Sequence, residues 1–530
     1  MQTKLDTVDL TFIGSGISST FTLLYLLEHI EKSSMETPLK ICIVNKYAEF
    51  FTGIPYGSRS GNSVLLITSL KNFLPEPERS LFIEWLQNNK EWLIDELLDD
   101  GGHLSLNWIK KHAKQIENNE WEDLFVPRSF FGRYLTEKIE KLISRLQSAN
   151  RIDLTFLTEE VLDVEKSKQL FTVFTKNKTL HSKKVVLAVG SLPTKTIYME
   201  QSVYQKNDLL VINDNYTPSL QENLNLIKNF SSNRKKQPNN VLIIGANASA
   251  LELLYKLNDD VETVVELDHF TFLSTHGILP DAVVDTQKQA QFIPVHLKQL
   301  ENKDNLTAKE IAAATYKDLD AAGAISLGAA STVGIISSAF GVLLAKLSKE
   351  ELKIFACKYG NEIGRRQRCA GEHYTQTINK LLEKNRFNHI AGRYHSIEKG
   401  AKTNSHYLKY FDTSSGTLKT ADIPYHIVIN CIGSKTFNDK EIPVLLKNLI
   451  DKGLCTPNES HIGLQVNDSL EATENLHIVG PLLAGNIIEN KAVWHVEHCG
   501  RITWLSSVLA TVLFEKFKTE KHLNNVMERS

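Results

Sequence analysis

The chain has no Cys-x-x-Cys and no Cys-x-x-x-x-Cys pair. Its six cysteines, Cys42, Cys357, Cys369, Cys431, Cys455 and Cys499, are scattered, with no closer pair than Cys357 and Cys369. That excludes dithiol redox chemistry, which needs two thiols side by side, and a disulfide-stapled secreted fold; it favours a reduced, cytoplasmic chain. No charge of one sign dominates either. Lys plus Arg number 60 against 62 Asp plus Glu, a formal net charge of −2, so there is no global field for nucleic acid or an anionic membrane. Any anionic ligand must be held locally. A basic leader is also missing: Asp6 and Asp9 precede the first apolar run with only Lys4 for positive charge, the wrong pattern for an export signal. One long uncharged run, residues 321–345 (AAGAISLGAASTVGIISSAFGVLLA), matches the hydrocarbon thickness in length, but its Ala, Gly and Ser contribute little transfer energy. A buried helix or a mobile cover over a site is expected there, and no stable membrane insertion. His495 and His498 stand three apart in HVEHC, on what the pattern reads as a helix. Without a third ligand at fixed spacing they do not make a metal site.

What is present is a pattern that occurs twice. At 530 residues two or three domains are expected. Residues 8–45 read as strand, tight turn, amphipathic helix and second apolar strand, a βαβ unit of about the expected length. Its turn is G-x-G-x-x-S, with Gly14, Gly16 and Ser19. This arrangement permits a sharp turn, a close backbone approach to a pyrophosphate and tight helix–strand packing, with the helix N-terminus facing the phosphates. After a polar stretch at residues 231–240, VLIIGANASALELLYKL repeats the unit with G-x-N-x-S-A: Gly245, Asn247 in place of the second glycine, Ser249 and Ala250. Two further strands run into glycine, at Gly190 and Gly433, and the sequence VGPLLAG near the C-terminus supplies Gly480, Pro481 and Gly485.

Two βαβ units far apart, strands ending in glycine and a final V-G-P-L-x-x-G turn form an order that resembles flavoproteins with two dinucleotide-binding domains. In these an FAD domain is split by an inserted NAD(P)H domain. The stretches GIPYGSRSGNSVLLITSLKNF, VPRSFFGRYL, LSTHGILP, LSKEELKIFACKYGNEIGRRQRCAGEHY and VINCIG are similar to the FAD/NAD(P)-binding family that includes FAD-dependent urate hydroxylases and nitrosuccinate-forming aspartate N-monooxygenases. The resemblance implies an α/β fold of two Rossmann-like domains in a glutathione-reductase-like arrangement. FAD-binding residues are expected in 1–230 and 421–530, and an NAD(P)H domain in 231–420 with a helical insertion at about 300–385. It further implies that Gly14, Gly16, Ser19, Gly190, Gly480, Pro481 and Gly485 line FAD, and that Gly245, Asn247, Ser249 and Ala250 face NADPH or NADH. Departures are visible. Asn45 stands where an acid usually binds the adenosine ribose, Ile67 where a polar residue sits near the flavin, and Thr275 where relatives carry an arginine.

The expected chemistry is hydride transfer from NAD(P)H to flavin, followed by electron transfer to an acceptor or by O₂-dependent hydroxylation of a small polar, nitrogen-containing substrate. No side chain is nominated as acid or base, since positioning carries much of such a reaction. A reductase without oxygen insertion and a non-catalytic nucleotide-binding protein stand as the alternatives. Arg365, Arg366 and Arg368 either bind a substrate carboxylate or cofactor phosphate, or form a solvated helix face with one structural pair. His373 either touches substrate or is structural. Arg128 and Tyr134 either reach the flavin edge or are an ion pair and a core aromatic.

Overall fold

The computed structural model describes residues 3–4, 7–35, 37–234, 237–400 and 405–527. Asp6, Lys235 and Lys236, which entered the leader and linker readings, lie outside them. The apolar run after Asp9 becomes the strand Val8–Ile13, buried on both faces as a central parallel strand must be. It pairs in parallel with Leu39–Asn45 on one side and Lys178–Leu187 on the other; Ile152–Thr158 and Leu476–Ile478 extend the sheet outward. The crossover helix Ile17–Lys32 buries Phe21, Leu24 and Leu27 against this sheet. It packs along the C-terminal helix Cys499–Met527, where Ser506 Oγ donates to the Ser18 carbonyl at 3.0 Å.

A second sheet has a parallel centre in the order Phe387–Lys399, His269–Ser274, Asn240–Ile244, Ile427–Asn430 and Leu209–Ile212, with antiparallel strands at both edges. Two of these strands correct the sequence boundaries. Leu209–Ile212 lies before residue 231 and Ile427–Asn430 after residue 420, yet both pair in the second sheet. The polar stretch at 231–240 had suggested a linker; it contains the end of the helix Leu220–Ser232 and the start of the next strand. Its polarity does not mark a change of domain: Ser231, Arg234, Asn239 and Asn240 are buried, and Arg234 Nε donates to Asn239 Oδ1 at 3.0 Å.

The inserted helices fall between the strands His269–Ser274 and Phe387–Lys399. The last of them, Glu372–Glu383, buries Tyr374, Ile378 and Leu381 in the main core and serves as the crossover helix of this βαβ step. The others build a separate small core from Leu297, Ile311, Ile336, Phe340, Leu343 and Phe355. The insertion therefore starts earlier than 300 and ends before 372. Residues 321–345 are not one helix. Ala308–Ala324 ends, Ser326 adopts φ 56, and Ala329–Leu344 begins anew, with its Ala330 N–H donating to Asp281 Oδ2 at 2.9 Å. The second helix buries Ile336, Phe340 and Leu343 and exposes Val342, the stripe of a half-buried helix. Among the described residues no helix is long and apolar enough to cross a membrane.

One helix binds the two sheets' layers together. Ala248–Asp259 presents Glu252, Lys256 and Asp259 on a single face, at the four- and three-residue spacing that aligns side chains on a helix. Asp259, 1% exposed, accepts from the backbone N–H groups of Gly102, Leu104 and Ser105 at 3.1, 2.8 and 3.2 Å. It thereby closes the N-terminus of the helix His103–Glu117, and it also accepts from Ser105 Oγ at 3.2 Å and Lys256 Nζ at 2.6 Å. Burial pushes the Asp259 carboxyl up, but Lys256 and the N–H groups outweigh it and hold the carboxyl below its ordinary value. Asp259→Asn should therefore cost about 3 kcal/mol near neutral pH, the usual scale for breaking a buried pair. Because the native carboxyl titrates below the unfolded one, this stability is complete above the ordinary Asp range and is lost as pH falls through the lowered native value. Denaturant unfolding of wild type and Asp259→Asn from neutral to acid pH checks it: the gap between them should close on acidification.

Candidate functional site

The first glycine turn is built for close backbone approach. Gly14 has φ +101, and a Cβ there would lie 2.3 Å from the Ala188 carbonyl oxygen, so only glycine lets the two strand ends converge. Gly16 is the N-cap of the helix Ile17–Lys32, and no side chain caps that helix. Its first N–H groups are left for an anion, and the helix carries no acid in its first turn to oppose one. Across from it lies Gly53, whose own Cβ would be 3.1 Å from the Gly16 Cα. Ser19 is buried and donates to the Gly16 carbonyl at 3.1 Å, so the small residue locks the turn from behind. Gly190 has open space where a side chain would be, and Gly480 stands against Ser18, before the short turn Pro481–Leu483. These residues fit a dinucleotide diphosphate. Gly53 escaped the sequence reading; its only signal was a second glycine soon after the second strand.

Three of the residues weighed as cofactor contacts have partners within the protein. Asn45 spends its amide on the protein: Nδ2 donates to the Tyr47 and Glu49 carbonyls at 2.9 and 2.8 Å, and Oδ1 accepts from Ser15 N–H at 3.3 Å. A carboxylate could not make the first two bonds, so the amide braces this loop. Gly485 faces Asn458 Oδ1 and Ser460 Oγ, each 2.6 Å from where its Cβ would be, and braces the C-terminal hairpin. Arg128 is buried between the layers, with Nη1 2.6 Å from Glu252 Oε1 and Nε 3.2 Å from Ser60 Oγ. Glu252 in turn accepts from the Tyr216 hydroxyl at 2.6 Å. Burial alone would lower the Arg128 guanidinium; Glu252 and then Tyr216 hold it above its ordinary value. Its Nη2 is buried without a partner in the protein. Tyr134 is a core aromatic against Phe82, its hydroxyl donating to Glu78 at 2.6 Å.

The second glycine turn is similar in backbone and different at its mouth. Gly245, φ +115, abuts the Cys431 carbonyl as Gly14 abuts Ala188. Asn247 then caps its own helix: Oδ1 accepts from Ala250 N–H at 3.2 Å, and Nδ2 donates to the Cys431 carbonyl at 2.8 Å. One of the N–H groups that a diphosphate would use is thus already satisfied. Ser249 lies beside the Tyr216 hydroxyl, at the join between layers.

The arginine triplet is split by the structure. Arg366 pairs with Asp320 and lies over the Tyr316 ring, a surface contact of the insertion. Arg365 and Arg368 are exposed and have no ion pair among the described residues. Arg368 is close enough to Glu497 and His495 to feel their charge. His373 is wedged among Phe125, Tyr255 and Tyr374, and burial drops it to about 3, so it serves as a neutral packing residue. His495 and His498 precede the C-terminal helix, which starts at Cys499, and so do not share a helix face. All six cysteines are free. A pocket of about 310 Å³ lined by Asp281, Asp285, Ser326 and Ser331 opens within the insertion and contains none of the expected cofactor residues.

Residues 11–192 match the model of a family described as FAD-NAD(P)-binding. Uncharacterized proteins of Mycobacterium bovis and Mycobacterium tuberculosis are 28% identical over 514 residues, covering 96% of this chain and 95% of theirs. The fold is shared with a cadaverine monooxygenase of Erwinia amylovora bound to FAD, at 12% identity, TM-score 0.54 and coverage of 96% and 95%. It is shared also with the ornithine hydroxylase of Pseudomonas aeruginosa, at 14% identity, TM-score 0.52 and coverage of 96% and 99%. A third, the ornithine N-hydroxylase of Kutzneria sp. 744 with reduced FAD, NADP⁺ and L-ornithine, is 12% identical, with TM-score 0.51 and coverage of 97% and 100%.

The two glycines of the first turn should fail differently when replaced. Gly16 has φ −92, and its nearest neighbour beyond a Cβ is 3.8 Å away, so Gly16→Ala should fold with an unchanged melting temperature and purify with little or no FAD. Gly14→Ala should lower stability itself, by about 2 kcal/mol or more, from clash and backbone strain. Flavin absorbance per polypeptide and thermal unfolding measure the two effects.

Proposed function

We propose that this chain is an FAD-dependent oxidoreductase that uses NADPH or NADH to hydroxylate a small polar molecule at nitrogen with O₂, in the cytoplasm. The observation that carries the reading is the uncapped helix N-terminus behind Gly14 and Gly16, facing Gly53. It supports a bound diphosphate where a merely structural βαβ turn would cap its helix, as Asn247 does in the second unit. FAD, when bound, takes hydride from the nicotinamide and supplies electrons to oxygen.

The chain's own residues have separable tasks in this reading. Gly14, Gly16 and the N–H groups of the following turn hold the diphosphate, while Ser19 keeps the turn rigid. Gly245, Ser249 and Ala250 seat the nicotinamide nucleotide, with Asn247 moving its cap aside or accepting a contact in its place. Glu252 and Arg128 fix the angle between the two seats, and hydride transfer depends on that angle. The insertion, with Ala329–Leu344 at its centre, covers the region where water must be kept from the reacting oxygen. Support for nitrogen as the site of hydroxylation comes from the neighbours named for ornithine and cadaverine. Six separate, unpaired thiols argue against the dithiol reductions that the same fold can host.

Anaerobic mixing with NADH and NADPH tests the reading. The purified protein should be yellow, release FAD on denaturation, and bleach with at least one of the two nucleotides. On admitting oxygen, peroxide should form nearly one for one with nucleotide consumed when no substrate is present, and should fall when a true substrate is supplied. A colourless protein that takes up no added FAD would sink the proposal. Bleaching with full peroxide yield against every polar amine offered would leave a reductase.

A further inference from the structure

The last residue of the second strand in each βαβ unit occupies the same place beside its glycine turn. Gly14 N–H donates to the Val44 carbonyl at 2.8 Å, and Gly245 N–H donates to the Leu273 carbonyl at 2.8 Å. Asn45 and Ser274, the next residues, are therefore counterparts. In a dinucleotide-binding unit this strand end meets the adenosine ribose, where a hydrogen-bonding side chain suits a free 2′-hydroxyl and a nearby arginine suits a 2′-phosphate. Asn45 is committed to its own loop. Ser274 is half-buried, and its Oγ lies 2.7 Å from His389 Nε2 on the neighbouring strand. In either tautomer of His389 the serine oxygen keeps a lone pair for a further hydroxyl donor. A phosphate dianion brings only acceptors, and its binding calls for fixed positive charge.

The strand end does not supply that charge. The stretch STHGILP, residues 274–280, contains no lysine or arginine, and its one titratable side chain, His276, is exposed. The loop is held against the sheet. Thr413 Oγ donates to the Thr275 carbonyl, and Gly277, φ +63, packs so closely that a Cβ there would lie 2.9 Å from the Ala391 Cβ. Burial alone lowers His389 below the ordinary histidine value, so its ring is neutral near neutral pH. Arg393, further along the strand than the Ala391 that pairs with Ser274, lies over the Phe411 ring, 5.8 Å from its centroid. A neutral serine–histidine pair therefore forms this end of the second seat.

We propose that the second seat selects a nucleotide with a free ribose 2′-hydroxyl, NADH over NADPH, and that Ser274, held by His389, is the residue that reads this hydroxyl. The inference rests on the oxidoreductase reading and narrows its electron donor. Ser274 Oγ accepts from the 2′-hydroxyl, and His389 fixes the serine rotamer from the neighbouring strand. A 2′-phosphate at the same place meets the serine lone pair with oxygens of its own and finds no cation on the strand end to offset its desolvation.

Isothermal titration of the FAD-loaded protein with ADP-ribose and with 2′-phospho-ADP-ribose tests the choice without any hydride transfer. ADP-ribose should bind more tightly, by about tenfold or more, the scale of a charge left without its partner. Ser274→Ala should weaken ADP-ribose about fivefold, as loss of one neutral hydrogen bond does, and leave the phosphorylated probe nearly unchanged. Thr275→Arg should strengthen 2′-phospho-ADP-ribose about tenfold through a charge-assisted bond. Thr275 is exposed, so this variant carries the test even if Ser274→Ala disturbs the strand. Arg393→Gln should change neither affinity. Equal binding of the two probes, binding of neither, or a Ser274→Ala that weakens both alike overturns the inference. So does tighter binding of the phosphorylated probe that is lost in Arg393→Gln, which would assign that arginine to a 2′-phosphate. Anaerobic flavin bleaching is read on a separate signal. A protein that selects ADP-ribose but bleaches with neither nucleotide keeps the ribose assignment and loses the oxidoreductase; one that bleaches at lower NADPH than NADH does the reverse.

Discussion

The face of the helix Ala248–Asp259 that carries Glu252, Lys256 and Asp259 is the constraint from which the site's geometry follows. The helix begins at the second glycine turn, so its N-terminus faces one nucleotide seat while its buried charges are anchored in the layer that carries the other. Arg128 and Glu252 are 10% and 5% exposed, and Lys256 and Asp259 are 9% and 1% exposed. Pairs this deep gain little over an apolar contact of equal volume, because desolvation offsets most of the Coulomb attraction. What they add is direction. A displaced interface would strand charges in an apolar join, so one relative placement is favoured over neighbouring ones. Under the proposed function, two seats whose ligands must meet at reacting distance would need that kind of fixed placement more than extra stability.

The same contrast between satisfied and unsatisfied groups distinguishes the two glycine turns. They share the backbone: a glycine at positive φ against a carbonyl of the neighbouring strand end, Ala188 in one and Cys431 in the other. They differ in what occupies the helix N-terminus. In the first, nothing from the protein does; in the second, Asn247 bonds both Ala250 N–H and the Cys431 carbonyl. A ligand for the second seat therefore exchanges bonds with a side chain as well as with water, which suits a nucleotide that must come and go better than one that stays.

Much of this was legible in the sequence, for a stated reason. Parallel strands buried on both faces read as apolar runs, and the glycines of the first turn are fixed by sterics that no neighbouring residue can relieve. The domain boundaries were not legible. The polar stretch at 231–240 looks like a linker, but Ser231, Arg234, Asn239 and Asn240 are buried between the end of one helix and the start of the next strand, and the strands Leu209–Ile212 and Ile427–Asn430 carry no mark of which sheet they join. Their register partners, Val241 with Ile427 and Ile427 with Leu210, lie far apart along the chain, and pairing at that separation is a property of the whole fold. Side-chain roles failed in a different way. Asn45 could bind a ribose hydroxyl or a loop carbonyl, and its bonds to the Tyr47 and Glu49 carbonyls become visible only once the chain is folded. His373 and the histidines of HVEHC likewise have an identity but no environment until the chain is folded.

Arg501 illustrates the limit from the other side. In sequence it is one arginine in an amphipathic helix, with no motif around it, while the conspicuous arginines are the three at 365–368. Folding reverses their standing: Arg366 is spent on Asp320 and a tyrosine face, and Arg501 is laid flat on Trp494 with no acid beside it. A charge cluster in sequence is conspicuous because its members are near one another, but proximity along the chain leaves them exposed and mutually repelled. Arg501 is in the opposite circumstance, partly buried with no ion pair among the described residues, and its setting depends on residues contributed from elsewhere: Trp494 and His495 from the C-terminal segment, and Phe340 and Phe355 from the insertion. The insertion is therefore more than a cover. By fixing the Trp494 ring it sets where the Arg501 guanidinium lies, and so couples a small separate core to the C-terminal segment.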